Sequence, residues 1–195
     1  SGAYSAQDRF SNFDRAFHDL ENRAWGIIGM GTIGHKVAQL ATAFGCKVFF
    51  YSASGKSTCT EYPRVDLDTL LQTCDIVSLH CPLTDKTRNL INKTAFEKMK
   101  PTAILINVAR GPIVNTQDLY NALITEKIMA AGLDVLEKEP MEPSNPLSQI
   151  QDSTKLIITP HMSWASVESR TRLISEIVKN IQAFLDKTDR NIVNL

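Results

Sequence analysis

Gly26-Ile27-Ile28-Gly29-Met30-Gly31-Thr32-Ile33-Gly34 joins an apolar strand, a glycine turn and the opening of a helix in one unbroken run. Gly29, Gly31 and Gly34 have the spacing G-x-G-x-x-G. In that setting the first glycine permits a tight turn, the second lets backbone approach a pyrophosphate, and the third allows close helix-to-strand packing. The following helix directs its N-terminal N–H groups and positive dipole end at the anion. Taken alone, the spacing also fits a glycine turn that holds no ligand, so the flanking segments decide.

Ala24 to Ile28 reads as the strand, and the helix is expected to bury Ile33, Val37, Leu40, Ala41 and Phe44 before Gly45 stops it. Lys47 to Tyr51, rich in Val and aromatic residues, reads as a second strand. Together they form a βαβ unit, whose parallel strands require such a crossover.

The same alternation continues downstream. A short helix over Asp66 to Thr73 leads into the strand Ile76 to Leu79, and His80-Cys81-Pro82 follows as a loop. Thr94-Ala95-Phe96-Glu97 has capping-box spacing and predicts a helix that ends before Pro101. Ala103 to Asn107 reads as a strand covered on both faces, and Arg110-Gly111-Pro112 as a turn. Asn115 or Thr116 caps a helix running to about Lys127; Met129 to Val135 and Lys155 to Thr159 are strands separated by a proline-rich loop. Ser166 caps a terminal helix carrying Ile174, Ile177, Val178, Ile181 and Leu185 at spacings of three and four. The pattern predicts an α/β fold of Rossmann type, a doubly wound parallel sheet in three αβα layers. Residues 1–23, with Phe10, Phe13 and Phe17 among charges, read as a connector, 24–163 as the dinucleotide-binding domain, and 164–195 as a C-terminal helix and tail.

Bulk properties narrow the function. Lys plus Arg and Asp plus Glu number 21 each in the 195 residues, so no general attraction to nucleic acid or an anionic membrane is expected. No apolar run approaches the roughly 18 residues of a membrane span, and no signal peptide is visible. Cys46, Cys59, Cys74 and Cys81 are scattered, without a C-x-x-C pair, so no metal site is expected. A cytoplasmic protein with reduced thiols is the simplest account.

Ligands of an open α/β sheet bind beyond the carboxyl ends of its strands. The polar residues just past those ends are Ser52, His80, Arg110, Asp134 with Glu139, and His161. Arg110, Glu139 and His161 offer an anion-binding fork, a carboxylate and a titratable imidazole. Hydride transfer from a hydroxy acid needs all three. The histidine takes the hydroxyl proton, the carboxylate orients the ring and favours its charged form, and the guanidinium holds the substrate carboxylate bidentately. Taken singly, each is as compatible with a solvated turn. His80 beside Cys81 suggests a thiol nucleophile only weakly, since no motif supports one, and this loop's backbone is expected near the cofactor instead. Asp134 ends an apolar strand, either accepting from a nicotinamide carboxamide or capping the loop that follows.

The set Gly-Ile-Ile-Gly-Met-Gly-Thr-Ile-Gly, His-Cys-Pro-Leu-Thr, Ile-Asn-Val-Ala-Arg-Gly-Pro-Ile-Val, Gly-Leu-Asp-Val-Leu-Glu-Lys-Glu-Pro and Thr-Pro-His-Met-Ser-Trp-Ala-Ser resembles the D-isomer-specific 2-hydroxyacid dehydrogenases. The motifs keep that family's order from about Trp25 onward. The resemblance implies substrate binding by Arg110, orientation of the imidazole by Glu139 and acid/base work by His161, with Trp164 close by. It implies cofactor contacts from Gly29, Gly31, Thr32, Ile33 and Gly34, from Ser52, from His80, Cys81 and Pro82, from Val108, Ala109 and Arg110, and from Asp134 and His161. Homodimerisation is implied as well.

Two departures stand out. The family's N-terminal substrate lobe is absent from this sequence, so the chain is expected to bind cofactor but to turn over substrate poorly or not at all. At the end of the second strand, where an NAD site usually has Asp or Glu for the ribose 2′-hydroxyl, the sequence is Tyr51-Ser52-Ala53-Ser54-Gly55-Lys56. NAD is the first expectation because no arginine occupies this loop; NADP is an alternative that Ser52, Ser54 and Lys56 permit. The expected function is the NAD(P)-binding domain of an oxidoreductase acting between a D-2-hydroxy acid and a 2-oxo acid. The competing reading is a corepressor-like, cofactor-sensing module without physiological turnover.

Overall fold

In the computed structural model, residues 8, 10, 11 and 17–192 are described. The expected connector lies mostly outside them, Phe13 included. Its last residues are attached to the domain: Asn22 N–H donates to Gly45 O at 2.9 Å, and Lys47 N–H to Arg23 O at 2.8 Å.

The chain forms β1 (Ala24–Ile28), α1 (Thr32–Ala43), β2 (Lys47–Tyr51), α2 (Leu67–Thr73), β3 (Ile76–Leu79), α3 (Lys93–Lys98), β4 (Ile104–Asn107), α4 (Thr116–Ile124), β5 (Ala130–Leu133), β6 (Leu156–Ile158) and α5 (Val167–Leu185). The six strands make one parallel sheet ordered β2-β1-β3-β4-β5-β6. Strand order reverses beside β1. The crevice where nucleotides bind in such sheets therefore opens past the ends of β1 and β3. An isolated parallel bridge pairs Phe50 with Arg64, which lays a further extended residue outside β2.

Alternation along the strands divides the core. Ile27 joins Ala38, Ala41, Cys46, Val48 and Phe50 beneath α1. Ile28 joins the larger cluster formed with Leu79, Leu105, Leu70, Phe96 and Leu119 from the other strands and from α2, α3 and α4. The strands after β2 all progress away from β1, and right-handed crossovers put their helices on this second face.

Four local expectations change. The buried stripe of α1 is Gly34, Ala38 and Ala41, while Ile33, Leu40 and Phe44 are 66%, 53% and 63% exposed. Small residues let the helix axis approach the sheet, and the bulkier ones point away. Helix α3 is capped by Asn92, whose side chain accepts from Ala95 N–H, two residues before Thr94. Helix α4 stops at Ile124, because Glu126 takes φ 57°. Strand β4 is not covered on both sides: Leu105 is buried, but Ile104 and Ile106, on the face of α1, are half-buried. Helix α5 has no buried residue, so its apolar positions have no cover among the described residues. Among those residues, no helix is long and apolar enough to cross a membrane and no cluster of metal-ligating groups occurs.

The packing of α1 has a direct test. Ala38, fully buried, should tolerate Leu badly, with Ala38→Leu costing about 1–3 kcal/mol by overpacking. Leu40→Ala should stay within about 0.5 kcal/mol. Urea unfolding of both variants checks the order.

Candidate active site

The glycine turn is shaped by backbone on both sides. Gly29 takes φ 101°, and a Cβ there would lie 2.5 Å from Cys81 N. A Cβ on Gly34 would lie 2.1 Å from Gly29 O. Neither contact leaves room for a side chain. At Gly31, by contrast, a Cβ would meet nothing within 4 Å, so this position opens onto space.

That space is a cleft of about 670 Å³ lined by Gly29, Met30, Gly31, Ser52, Ser54 and Lys56 on one side and by His80, Cys81, Pro82 and the loop Thr84–Thr87 on the other. A dinucleotide phosphate fits it on three counts. Helix α1 starts at Gly31 without a side-chain cap or an acidic residue in its first turn, whereas Asp66, Asn92, Asn115 and Ser166 each cap their own helices. Its first N–H groups are thus left for an external acceptor. Gly31 offers the open backbone approach. His80 Nδ1 is buried without a hydrogen-bond partner among the described residues, while Nε2 lies 3.0 Å from Ser78 Oγ, which accepts from Trp25 Nε1–H at 2.9 Å. Burial pulls the His80 imidazole down to about 4, so it is neutral at pH 7.

Farther along the same edge, β4, β5 and β6 deliver the other residues. Asn107, buried at the end of β4, accepts from Ala109 N–H and donates to Arg110 O, both at 3.0 Å. This side chain folds Val108, Ala109 and Arg110 into a tight turn. The Arg110 side chain is exposed, with Nη1 donating to Ala109 O at 2.7 Å, and it joins none of the ion pairs among the described residues. Next to it, a Cβ on Gly111 would lie 1.9 Å from the Leu136 carbonyl, so the Arg110 turn rests directly on the loop after β5.

The structure brings Glu139 and His161 together: Nδ1 and Oε2 are 2.7 Å apart. The second oxygen of Glu139 accepts from Leu136 N–H at 2.8 Å. Burial raises the Glu139 carboxyl, but the bonds from His161 and Leu136 outweigh it and hold it below the usual range. His161 takes φ 50°, a conformation that most residues avoid, with its N–H donating to Asp134 O at 2.9 Å. Asp134 also secures the loop by its side chain: Thr159 Oγ1–H and Met162 N–H donate to one oxygen and Ser163 N–H to the other. Of the two roles read from the sequence, loop capping is the one these bonds fill. Arg110 touches neither partner of the pair but lies on the neighbouring loop, and Trp164 is exposed, three residues past His161.

The sequence reading missed three contributors. Asn107 was visible only as a polar end to an apolar strand. The Thr84–Thr87 loop carried no signal that it lined the cleft. Arg64 lies outside the Ser52 loop in sequence, yet its Nη1–H donates to Gly55 O at 3.1 Å. No arginine occupies the loop itself, but the Phe50 bridge returns residue 64 to its side.

Asp134 yields a pH prediction. Burial raises its carboxyl, but the bonds from Thr159, Ser163 and Met162 prevail and hold it at about 2. A lowered folded-state pKa means stability that is complete above the ordinary carboxylate range and lost as pH falls through the folded value. The contribution is on the order of 2 kcal/mol. Asp134→Asn should lower stability at neutral pH and flatten the decline between about pH 5 and pH 2, as followed by urea unfolding across that range.

Comparison with known proteins agrees with this geometry. Residues 3–163 match the family model described as the D-isomer specific 2-hydroxyacid dehydrogenase, NAD binding domain. The chain is 40% identical to a hydroxypyruvate reductase of Blautia hydrogenotrophica over 99% of its own length and 60% of that protein. It is 38% identical to a glycerate dehydrogenase of Methylorubrum extorquens, over 98% and 59%. Among solved structures, D-lactate dehydrogenase with NAD+ from Lactobacillus jensenii superposes with a TM-score of 0.84 at 33% identity, over 96% of this chain and 60% of that one. An acyclic imino acid reductase in complex with NADPH and D-Arg superposes at 0.83 and 32% identity, over 91% and 55%. The chain thus spans somewhat more than half the length of these relatives. Parallel sheet, glycine turn and family match lead to one conclusion: the chain belongs to the D-isomer-specific 2-hydroxyacid dehydrogenases, as an NAD-binding domain of that family.

Proposed function

We propose that this domain is the cofactor half of an oxidoreductase that interconverts a D-2-hydroxy acid and its 2-oxo acid. The observation that carries the proposal is the 2.7 Å pairing of His161 with Glu139 at the sheet edge that also holds the cofactor cleft.

Each residue has a distinct part. When bound, NAD(P) supplies the site for hydride transfer. Glu139 holds His161 through Nδ1, which leaves Nε2 to face substrate. In oxidation Nε2 takes the hydroxyl proton as the carbonyl forms, and in reduction it returns a proton to the carbonyl oxygen. Arg110, exposed and outside the described ion pairs, binds the substrate carboxylate through its planar fork. The backbone of Gly29 to Gly34 and the open start of α1 hold the pyrophosphate. Asp134 keeps His161 in its strained conformation, so the imidazole needs no reordering during turnover.

Relatives named hydroxypyruvate reductase and glycerate dehydrogenase support a short, polar 2-oxo acid as substrate. The open side of the cleft is assigned to a second, substrate-binding lobe of the kind expected for this family. A homodimer and a cytoplasmic setting belong to the same proposal; apolar residues exposed on α1 and α5 support the first, and four unpaired cysteines the second.

In a protein that carries both lobes, His161→Ala should lower kcat by about 10²–10⁴-fold, with cofactor Kd moving far less. Glu139→Gln should produce a smaller loss. Steady-state assays with hydroxypyruvate, glyoxylate and pyruvate, paired with cofactor titrations, check both variants. An undiminished kcat in His161→Ala would remove His161 from the proton transfer.

A further inference from the structure

The turn that carries Arg110 is held from more than one side. Asn107 folds it from within, and the Leu136 carbonyl backs Gly111. A further support comes from the loop after β3. Asn89 N–H donates to Pro112 O at 2.9 Å, Ile91 N–H donates to Ile113 O at 3.0 Å, and Asn115 N–H returns to Ile91 O at 2.9 Å. Ile91 and Val114 pair there as an isolated parallel bridge. Ile91, Ile113 and Val114 are buried in the main core, so the far end of the turn is fixed. The Asn89 bond reaches closer to Arg110 in sequence than the bridge does.

Asn89 makes that bond from an uncommon conformation. Its φ is 51°, in the left-handed region, and its own carbonyl accepts from Asn92 Nδ2–H at 3.0 Å. The turn that leads up to it is closed by Thr87, whose hydroxyl donates to Pro82 O at 2.7 Å and accepts from Thr84 N–H at 2.8 Å. Arg88 N–H also donates to Thr84 O, at 2.9 Å. Asn89 thus ends this turn and sends the chain into the bridge at Ile91. Its side chain is exposed, so what the position contributes is backbone conformation. Asparagine and glycine accept the left-handed region, whereas β-branched residues resist it.

We infer that Asn89 is a positioning residue for Arg110: its left-handed conformation aims the N–H that holds Pro112 O, and so fixes the backbone from which the guanidinium reaches the substrate carboxylate. The inference rests on the proposal that Arg110 binds that carboxylate. Arg110 Nη1 is tethered to the Ala109 carbonyl within the same turn, so the guanidinium follows the backbone beneath it. Residues Thr84 to Thr87 of the same loop wall the cofactor cleft, which makes Asn89 the place where the cleft wall meets the Arg110 turn. His161 and Glu139 stand on other loops. Loosening Asn89 therefore acts on substrate capture and spares the proton transfer.

Steady-state kinetics of a protein that carries both lobes, with hydroxypyruvate varied at saturating cofactor, tests this. Asn89→Val should raise KM for the 2-oxo acid about fivefold or more, with kcat and cofactor Kd each changing less than about twofold. Asn89→Gly, which keeps the conformation without the side chain, should stay within about twofold of wild type in all three. Asn89→Ala, a milder strain at the same φ, should fall between them, and it carries the test if Asn89→Val does not fold. An unchanged KM in the strained variants, a cofactor Kd that weakens as much as KM rises, or an Asn89→Gly as impaired as Asn89→Val overturns the assignment of Asn89. Arg110→Gln checks the reading beneath it: a KM that does not rise in this variant removes Arg110 from carboxylate binding, whatever the Asn89 variants do.

Discussion

The structure depends on a backbone-to-backbone approach at the point where the sheet changes direction. Gly29 lies so close to His80 and Cys81 that no side chain fits between them. This contact holds the turn after β1 against the loop after β3, the two segments that diverge at the switch point. The cleft exists because these loops part beyond their contact. Gly34 repeats the constraint one turn later by pressing the start of α1 onto Gly29 O. Three neighbouring positions therefore do different work: Gly29 and Gly34 are filled by protein, and Gly31 faces open space.

The far end of the edge is organised by carboxylates instead of glycines. Asp134 accepts three hydrogen bonds from the loop after β6, and Glu139 spans from Leu136 to His161. Each carboxylate is desolvated to some degree and offset by donors from the neighbouring loop. As a result, the positive φ of His161 is held from both its backbone and its side chain. An imidazole on a surface loop thereby acquires the fixed orientation usually associated with a strand or helix.

Strands were legible because burial on a parallel sheet leaves short apolar runs bounded by turns. β1, β2 and β3 fall where those runs lie in the sequence. Helix α1 was harder to read. Periodicity marks which residues share a face but not which face meets the sheet, and here the close-packing stripe is the small one, Gly34-Ala38-Ala41. The uncovered side of β4 escaped notice for a related reason: Ile104 and Ile106 look like Leu105 until the handedness of the crossovers assigns α4 to one face. At the site, chain order was enough to put Arg110, Glu139 and His161 behind adjacent strands, since parallel strands bring their carboxyl ends together. Arg64 was not legible. Its place follows from one bridge to Phe50, and no local pattern encodes that pairing.

Gly111 carries a mechanical consequence. With no side chain between it and the Leu136 carbonyl, the turn bearing Arg110 and the loop bearing Glu139 meet as bare backbone. A displacement of one loop is passed to the other without a compressible layer in between, and from Glu139 it passes through a single hydrogen bond to His161. The turn that carries Arg110 and the Glu139–His161 pair are therefore linked through one bare backbone contact and one hydrogen bond.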